Sequence, residues 1–416
     1  MRHRSLLLLT TAVTAGALTL SACGSRSDDS KKSDGGSSGG GNITLTIGVD
    51  APLTGENSAT GLGLEYGTKI AVDDANAKKL VPGVTFKVEA LDDKTLPATG
   101  QQNATQLVQD DNVIGAIGPL NSNVATSMQQ VFANANLVEI SPANTNPALT
   151  QGSDWASGKK VRPFKTYFRT ATTDANQGGF AADYAFNTLK KATAFVVDDK
   201  QSYGAGLAGV FKQRYAQLGG KVVGTDHVNT ADTDFSTLVT KIKNSHADMV
   251  YYGGQYDEAE LITKQLKAAG DHIPLMGGDG VFSDTYIKVA GAASEGDLVT
   301  SVGQPVATLP AAQNFIKEYK EKGYPGDYGT YGGYSYDAAT AIINAVKTVM
   351  DGNGGKLPAM ADARAKLVDA VQKADFDGIA GHVSFDQYGD TTNKQLTVYQ
   401  VKGGKWTAVK SGLYQG

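Results

Sequence analysis

The chain has 416 residues, with 38 Lys and Arg against 42 Asp and Glu and a formal net charge of -4. That mild acidity, without any basic stripe, excludes a nucleic-acid surface built on clustered cations. The stretch from Asn42 to Gly416 is long enough for two globular domains with buried cores, and a single cysteine, Cys23, excludes an internal disulfide.

The first segment reads as a targeting signal. Arg2 and Arg4 give a positive start, and Leu6 to Leu20 is an uncharged apolar run of about fifteen residues, short of the roughly 20 that a spanning helix needs. Leu20-Ser21-Ala22-Cys23 then places the cysteine where a lipid-attachment site would have it, after residues small enough for a signal peptidase. An ordinary secretory signal with a chance cysteine is the plainer alternative. Residues 1–22 are therefore expected to be a lipoprotein signal peptide, and residues 23–41 a lipidated Cys23 with a flexible tether of Ser, Gly, Asp and Lys. Two acyl chains anchor stably where one binds only marginally, so the expected location is exported and lipid-anchored to the outer face of the cell membrane. Loss of the signal removes Arg2 and Arg4 and no acid, leaving a more acidic mature chain.

Beyond the tether, short apolar runs alternate with longer amphipathic segments, the signature of parallel sheets with crossover helices. Ile43 to Val49, Thr85 to Leu91, Val113 to Ile117 and Leu137 to Ile140 predict strands, with helices over Gly63 to Asn76, Ala98 to Asp110 and Val124 to Ala135. An irregular stretch from Asn144 to Pro163 breaks the rhythm, as functional rims and surface insertions do. The pattern then repeats, with strands at Thr193 to Val197, Lys221 to His227, Met249 to Tyr252 and Ile273 to Met276. Its helices are Gln177 to Leu189, Ala205 to Leu218, Phe235 to Asn244 and Glu258 to Ala269, which implies two lobes of similar architecture. Leu298 to Val302 predicts a further strand, followed by helices at Ala311 to Lys322, Tyr336 to Met350 and Ala361 to Lys373. The tail holds short strands at Val383 to Phe385, Gln395 to Val401 and Trp406 to Val409, with Gly403-Gly404 as a hairpin turn.

Several motifs carry less than their pattern suggests. Gly204-Ala205-Gly206-Leu207-Ala208-Gly209 has the dinucleotide spacing, but Asp198 to Tyr203 separate it from the strand, whereas a phosphate-cradling turn begins directly after one. Small residues that let a helix pack closely are the simpler explanation. Gly36-Ser37-Ser38-Gly39-Gly40 matches a nucleophile elbow only inside the tether, where nothing would strain the turn. The five histidines are scattered without ligand spacing, so no metal, no cofactor and no enzymatic activity are expected.

What remains is a set of polar residues at the carboxyl ends of predicted strands, where open parallel sheets bind ligands. Val113 to Ile117 runs into Gly118-Pro119-Leu120-Asn121-Ser122 and then a helix, so the Ser122 hydroxyl and free helix amides suit a carboxylate, although a capping role accounts equally for Asn121 or Ser122. Leu137 to Ile140 ends in Ser141-Pro142-Ala143-Asn144-Thr145, a second hydroxyl with free carbonyls. In the other half, Met276 leads into Gly277-Gly278-Asp279-Gly280, an acid placed to meet an ammonium group or to serve as a solvated turn.

These residues also carry a family resemblance. Ser141-Pro142-Ala143-Asn144-Thr145, Asp198-Asp199-Lys200-Gln201-Ser202-Tyr203-Gly204, Asp234-Phe235-Ser236-Thr237-Leu238 and Tyr251-Tyr252-Gly253-Gly254 resemble the leucine/isoleucine/valine-binding protein family of ABC importers, from Ile43 to about Asp390. The resemblance implies an α/β fold of the type I periplasmic-binding-protein kind, with two Rossmann-like lobes joined by a three-segment hinge. Residues 42–169 plus 301–380 would form one lobe and 170–300 plus 381–416 the other. It further implies that Ser122 and Thr145 hold the carboxylate of an amino acid, that the Ala143 carbonyl and Asp279 hold its ammonium, and that Tyr203 and Tyr331 wall the pocket. Thr60 and Gln255 stand where branched-chain binders carry tyrosines, and Thr95 and Asn121 replace the disulfide of some relatives. The implied function is that of a monomeric binding lipoprotein, tethered to the membrane through Cys23, which captures a branched-chain or related amino acid between closing lobes. It would pass that ligand to ABC permease and ATPase subunits. A sensing module for amino acids or amides, working with a separate signalling partner, is the competing expectation, and a hydrolase lacks a nucleophile with a plausible base.

Overall fold

The computed structural model describes residues 42–414; the expected signal peptide, Cys23 and the tether lie outside the described residues. Five strands form an all-parallel first sheet: β1 (Ile43–Ala51), β2 (Val84–Asp92), β3 (Val113–Ile117), β4 (Val138–Ser141) and β5 (Tyr167–Arg169), in the order β2-β1-β3-β4-β5. β3, β4 and β5 are buried along their whole length, as strands covered by helices on both faces must be. The covering helices are α1 (Ser58–Ala77), α2 (Pro97–Gln109), α3 (Ser122–Asn134) and the single turn α4 (Ala148–Gln151). Pro97 opens α2 at a position where the missing N–H has no helical partner to lose.

The second half repeats the plan. α5 (Asp174–Asp183) precedes β6 (Thr193–Asp198), α6 (Ser202–Gln217), β7 (Lys221–His227), α7 (Ser236–Ser245), β8 (Met249–Gly253), α8 (Tyr256–Ala268), β9 (Leu275–Gly277), α9 (Asp284–Ala290) and β10 (Leu298–Val302). These strands are parallel in the order β7-β6-β8-β9-β10, the same winding as the first sheet. Each sheet therefore reverses direction beside its first strand, which opens a crevice at the carboxyl ends there.

After β10 the chain returns to the first lobe through α10 (Gln313–Glu321), α11 (Gly332–Asp351), α12 (Met360–Gln372) and the hairpin β11 (Asp375–Asp377) with β12 (His382–Ser384). Ile342 and Val346 of α11 join Ile47, Val49, Ile114 and Ile117 in one core, to which Val383 and Phe385 also belong. α11 lies so near α1 that a Cβ on Gly67 would sit 2.2 Å from the Gly332 carbonyl oxygen. Ser335 fills that contact by donating to the Leu64 carbonyl at 2.7 Å. The chain then crosses a third time, into β13 (Gln395–Val401) and β14 (Trp406–Leu413), both antiparallel additions to the second sheet. Gly403 and Gly404, both at positive φ (58° and 71°), make the turn between them.

The irregular stretch after β4 has a structural purpose. Arg169, at the end of β5 and fully buried, pairs with Asp390 at 2.6 Å and donates to the carbonyl of Asn146 at 2.9 Å and to the Thr150 hydroxyl. Asp390 also accepts from Gln151 at 2.6 Å and Thr150 at 2.8 Å. The loop thus builds a cage for an ion pair that ties the first interlobe crossing to the third. Burial opposes the Asp390 charge, but Arg169 and these donors hold its pKa below the ordinary carboxylate value. A depressed carboxylate contributes stability at neutral pH that is lost as pH falls through its folded pKa. Asp390→Ala, which strands the Arg169 charge in the interior, should lower unfolding free energy by about 3–5 kcal/mol in denaturant titration. Replacing both partners with apolar residues should cost far less.

Candidate functional site

At the crevice of the first sheet, two loops are welded together. Gly118 leaves β3 at φ +113°, where a Cβ would sit 2.0 Å from the Asp50 carbonyl oxygen, so only glycine permits this exit. The loop then enters α3 at Ser122, which is buried. Ser141, at the end of β4, donates its hydroxyl to the Pro119 carbonyl at 2.9 Å and accepts from the Asn144 amide at 2.9 Å. Asn144 reaches back to the Leu120 carbonyl at 2.8 Å and accepts from the Tyr167 hydroxyl at 2.8 Å. Ser122, Ala143 and Thr145 are thereby fixed on one buried rim.

Opposite them, β9 leads into Gly277-Gly278 and a single turn beginning at Asp279, which is 2 % exposed. Its Oδ1 accepts from the Tyr203 hydroxyl at 2.8 Å and from Gln177 Nε2 at 2.9 Å, while Gln177 Oε1 accepts from the Asp279 amide at 2.8 Å. Its Oδ2 accepts from the Tyr331 hydroxyl at 2.7 Å. Tyr331 belongs to the first lobe's core at the start of α11, so this bond crosses between the lobes. Burial raises the Asp279 pKa, opposed by the bonds from Tyr331, Gln177 and Tyr203. Burial and the neighbouring Asp279 push Tyr203 and Tyr331 well up, which keeps both phenols as donors.

Asp174 and Gln177 were not legible as site residues in the sequence. Asp174, in the first turn of α5, donates its amide to the Thr145 carbonyl at 2.8 Å and so joins the two half-sites. Its carboxyl is driven well above the ordinary value, first by complete burial and then by Asp279, while Thr145 and Arg169 oppose the rise. Thr145 Oγ1, Asp174 Oδ2 and the Tyr251 hydroxyl are fully buried and close no hydrogen bond of normal geometry. Buried polar atoms without partners are rare in folded proteins, and these three lie close to Asp279. The only sequence signal was an acid at a helix start, which ordinarily means favourable interaction with the helix dipole.

Other expected residues lie at greater remove. Gln255, at the start of α8, flanks the site: a Cβ on Gly280 would meet its Oε1 at 2.6 Å and Tyr203 Cε1 at 3.0 Å. Thr60 instead lines a groove of about 1210 Å³ with Phe282, Tyr328, Thr330, Tyr399 and Trp406, a lining that does not include Asp279. Of the glycines in the dinucleotide-like run, Gly204 alone is tightly packed, 2.3 Å from Asp199 Oδ1 and 2.4 Å from the Gly253 oxygen for an added Cβ, whereas Gly209 faces open space.

The lobes are shut in this structure. Besides Tyr331 to Asp279, the Asn57 amide donates to Asp257 at 3.2 Å, Asn123 to Gln201 at 3.0 Å, Asn146 to the Ser202 carbonyl at 2.6 Å and Thr330 to the Phe282 carbonyl at 3.2 Å. The arrangement brings the Asp279 carboxylate of one lobe against the Tyr331 hydroxyl of the other, both buried. It suits a small solute that carries a cationic end.

Comparison with known proteins agrees with this architecture. A family model described as periplasmic binding protein matches residues 44–405. Leu/Ile/Val-binding protein homolog 1 of Brucella melitensis is 31% identical over 368 residues, covering 88% of this chain and 92% of its own. The leucine-binding protein LivK of Thermotoga maritima superposes with a TM-score of 0.78 at 26% identity, covering 89% of this chain and 99% of its own. LivJ of Streptococcus pneumoniae, solved with isoleucine, gives a TM-score of 0.78 at 25% identity with the same coverage, 89% and 99%.

Tyr331→Phe should leave each lobe folded but remove the interlobe donor to a buried carboxylate, a loss of about 1.5–3 kcal/mol. The expected outcome is a larger radius of gyration in small-angle scattering with an unchanged far-ultraviolet dichroism spectrum.

Proposed function

The chain belongs to the periplasmic-binding-protein family that includes the Leu/Ile/Val-binding proteins, and on that premise we propose that it captures a branched-chain or related amino acid between its lobes for an ABC importer. The type I fold supplies two crevices that face each other. The observation that carries the reading is Asp279, a buried carboxylate held by donors from both lobes. A zwitterion needs both charges compensated, since burying either alone costs several kcal/mol. In this reading Asp279 and the Ala143 carbonyl take the ammonium, while Ser122, Thr145 and the first amides of α3 take the carboxylate. Tyr203 and Tyr331 wall the ligand and fix Asp279. Gln255, in place of a family tyrosine, biases the preference among side chains, whereas Thr60 lies on the neighbouring groove.

Neither half-site suffices alone, so capture and closure are coupled. An amino acid of about nine non-hydrogen atoms, at a ceiling near 1.5 kcal/mol per atom, can gain up to about 13 kcal/mol, which permits submicromolar binding if burial is nearly complete. No chemical change of the ligand is required, and the protein acts as a monomeric carrier without a cofactor. The lobes close, the shut form docks on a permease driven by its ATPase, and a lipid on Cys23 keeps the carrier at the outer membrane face.

Titration calorimetry with a panel of free amino acids tests the reading. Asp279→Ala should lose binding by a factor of 100 or more while keeping its melting temperature within a few degrees; undiminished affinity would remove the proposed ammonium site. The anchor is tested separately. Cys23→Ser should move the protein from the membrane fraction to the medium or soluble fraction, with calorimetric affinity unchanged.

A further inference from the structure

The groove of about 1210 Å³ that Thr60 lines runs beside the seam between the lobes and reaches the second crossing at Val302, Pro305 and Val306. Small-molecule sites usually occupy about 300–1,000 Å³, so it has room for a ligand of its own. Its two walls come from different lobes, and both are aromatic. On the second lobe, Phe282 stacks on Tyr399 with centroids 4.2 Å apart and meets Trp406 edge-on at 5.6 Å. The Trp406 indole is pinned by donating to the Ser283 carbonyl at 3.0 Å. On the first lobe, Tyr328 packs edge-on against Phe315 at 5.7 Å, and Tyr324 stacks on Tyr66 at 4.1 Å. One hydrogen bond spans the walls, from the Thr330 hydroxyl to the Phe282 carbonyl at 3.2 Å. Two exposed carboxylates also line the groove, Asp284 at the start of α9 and Asp327 in the loop before α11, one from each lobe. After burial, Asp327 and then Asp284 push the Tyr328 phenol up to about 12, which puts both acids within electrostatic reach of that ring. Lys320 is the one cation among the described residues that line the groove.

We propose that this groove binds a small aromatic ammonium ion, and that its occupant holds the lobes shut and so strengthens capture of the amino acid. Aromatic rings present negative faces that attract cations, and the carboxylates add charge of the same sign. The lining therefore favours an organic cation over a neutral or anionic molecule of the same shape. An aromatic ammonium meets both parts of it, the ring against Phe282 or Tyr328 and the ammonium at Asp284 and Asp327. The inference rests on the reading that the lobes close around an amino acid, and goes beyond it by assigning a second ligand with its own site. Opening the lobes parts Thr330 and Tyr328 from Phe282, so an occupant of the groove would lose one of its walls. It thus binds the shut form better than the open one, and only such a difference lets a ligand shift the balance between them. Linkage then requires the cation and the amino acid to raise each other's affinity by one common factor. Asp279 is not part of the groove's lining, so the two ligands do not compete for a carboxylate.

Phenethylamine is the probe, with phenethyl alcohol and hydrocinnamate as its neutral and anionic counterparts. The chain has two tryptophans, Trp155 and Trp406, so the fluorescence of Trp155→Phe reports the groove wall alone. Phenethylamine should change that emission saturably, and both counterparts should bind about tenfold more weakly, since they forfeit a charge-assisted contact. Asp284→Asn combined with Asp327→Asn should erase the preference for the amine over the alcohol. Calorimetry with L-leucine in saturating amine should show an affinity about fivefold higher, and leucine should tighten the amine by the same factor. No saturable change in emission, equal binding of the alcohol, or a leucine affinity that the amine leaves unchanged or weakens would overturn the inference and leave leucine capture standing. Asp279→Ala separates the two sites. Amine binding that survives there while leucine binding is lost upholds the groove, whereas loss of both would place the amine at Asp279 and sink the proposal. Selective amine binding by a chain that takes up no leucine would remove the proposed amino-acid ligand and keep the groove's own site.

Discussion

The structure turns on one constraint: a carboxylate, Asp279, is held in the interior only because both lobes supply donors to it. Gln177 and Tyr203 come from its own lobe and Tyr331 from the other. A carboxylate so placed needs compensation from somewhere, since an unpaired buried charge is among the costliest features a protein can carry. Hydroxyls and an amide satisfy its lone pairs without neutralising its charge. What those donors leave uncompensated is the charge itself, the feature on which the proposed ammonium site rests. The fold's duplicated winding explains why the demand arises here, because each sheet opens its crevice beside its first strand and the two crevices face one another.

How much of this could be read from the chain differs from element to element. β3 and β8 were plain because uninterrupted apolar runs bounded by turn residues have few alternatives. Ser122, Thr145 and Asp279 stood out since each follows such a strand. β5 was not foreseen, being three residues long and preceded by an irregular loop, and neither was the seven-residue α9. Asp174 and Gln177 were hidden for a different reason. A polar residue in a helix's first turn is ordinarily solvated, and only the arrival of Thr145 and Asp279 from distant segments encloses these two. The Arg169 to Asp390 pair, 221 residues apart, is likewise invisible to any local pattern. Thr60 shows the converse limit: matching a position to a family's pocket did not place its side chain on the Asp279 cluster.

The hinge and the cleft seam therefore join the lobes in different ways. At the hinge, Arg169 and Asp390 are buried together and caged by Asn146, Thr150 and Gln151, so the first and third crossings move as one piece. Rigid crossings restrict the lobes to a rotation about a fixed line. That restriction is what lets Tyr331 and Asp279, or Asn57 and Asp257, meet in register each time the cleft shuts.

The apolar clusters set the energy scale of that rotation. Ile47, Ile117 and Ile342 pack within the first lobe, and Val250, Ile262 and Val299 within the second, in separate clusters. The seam is held by hydrogen bonds, each worth about 0.5–1.5 kcal/mol net between neutral groups and about 1.5–3 kcal/mol to a carboxylate. Five such bonds sum to several kcal/mol before the cost of drying Asp279 is subtracted, so the shut and open forms lie close in free energy. Shifting a population from 1:99 to 99:1 takes about 5.5 kcal/mol of differential binding. A ligand of amino-acid size can supply that, and a seam stiffened by a shared hydrophobic core could not be reopened by so small a solute's departure. Polar closure over separate cores is thus what makes the fold reversible on the scale of one small molecule.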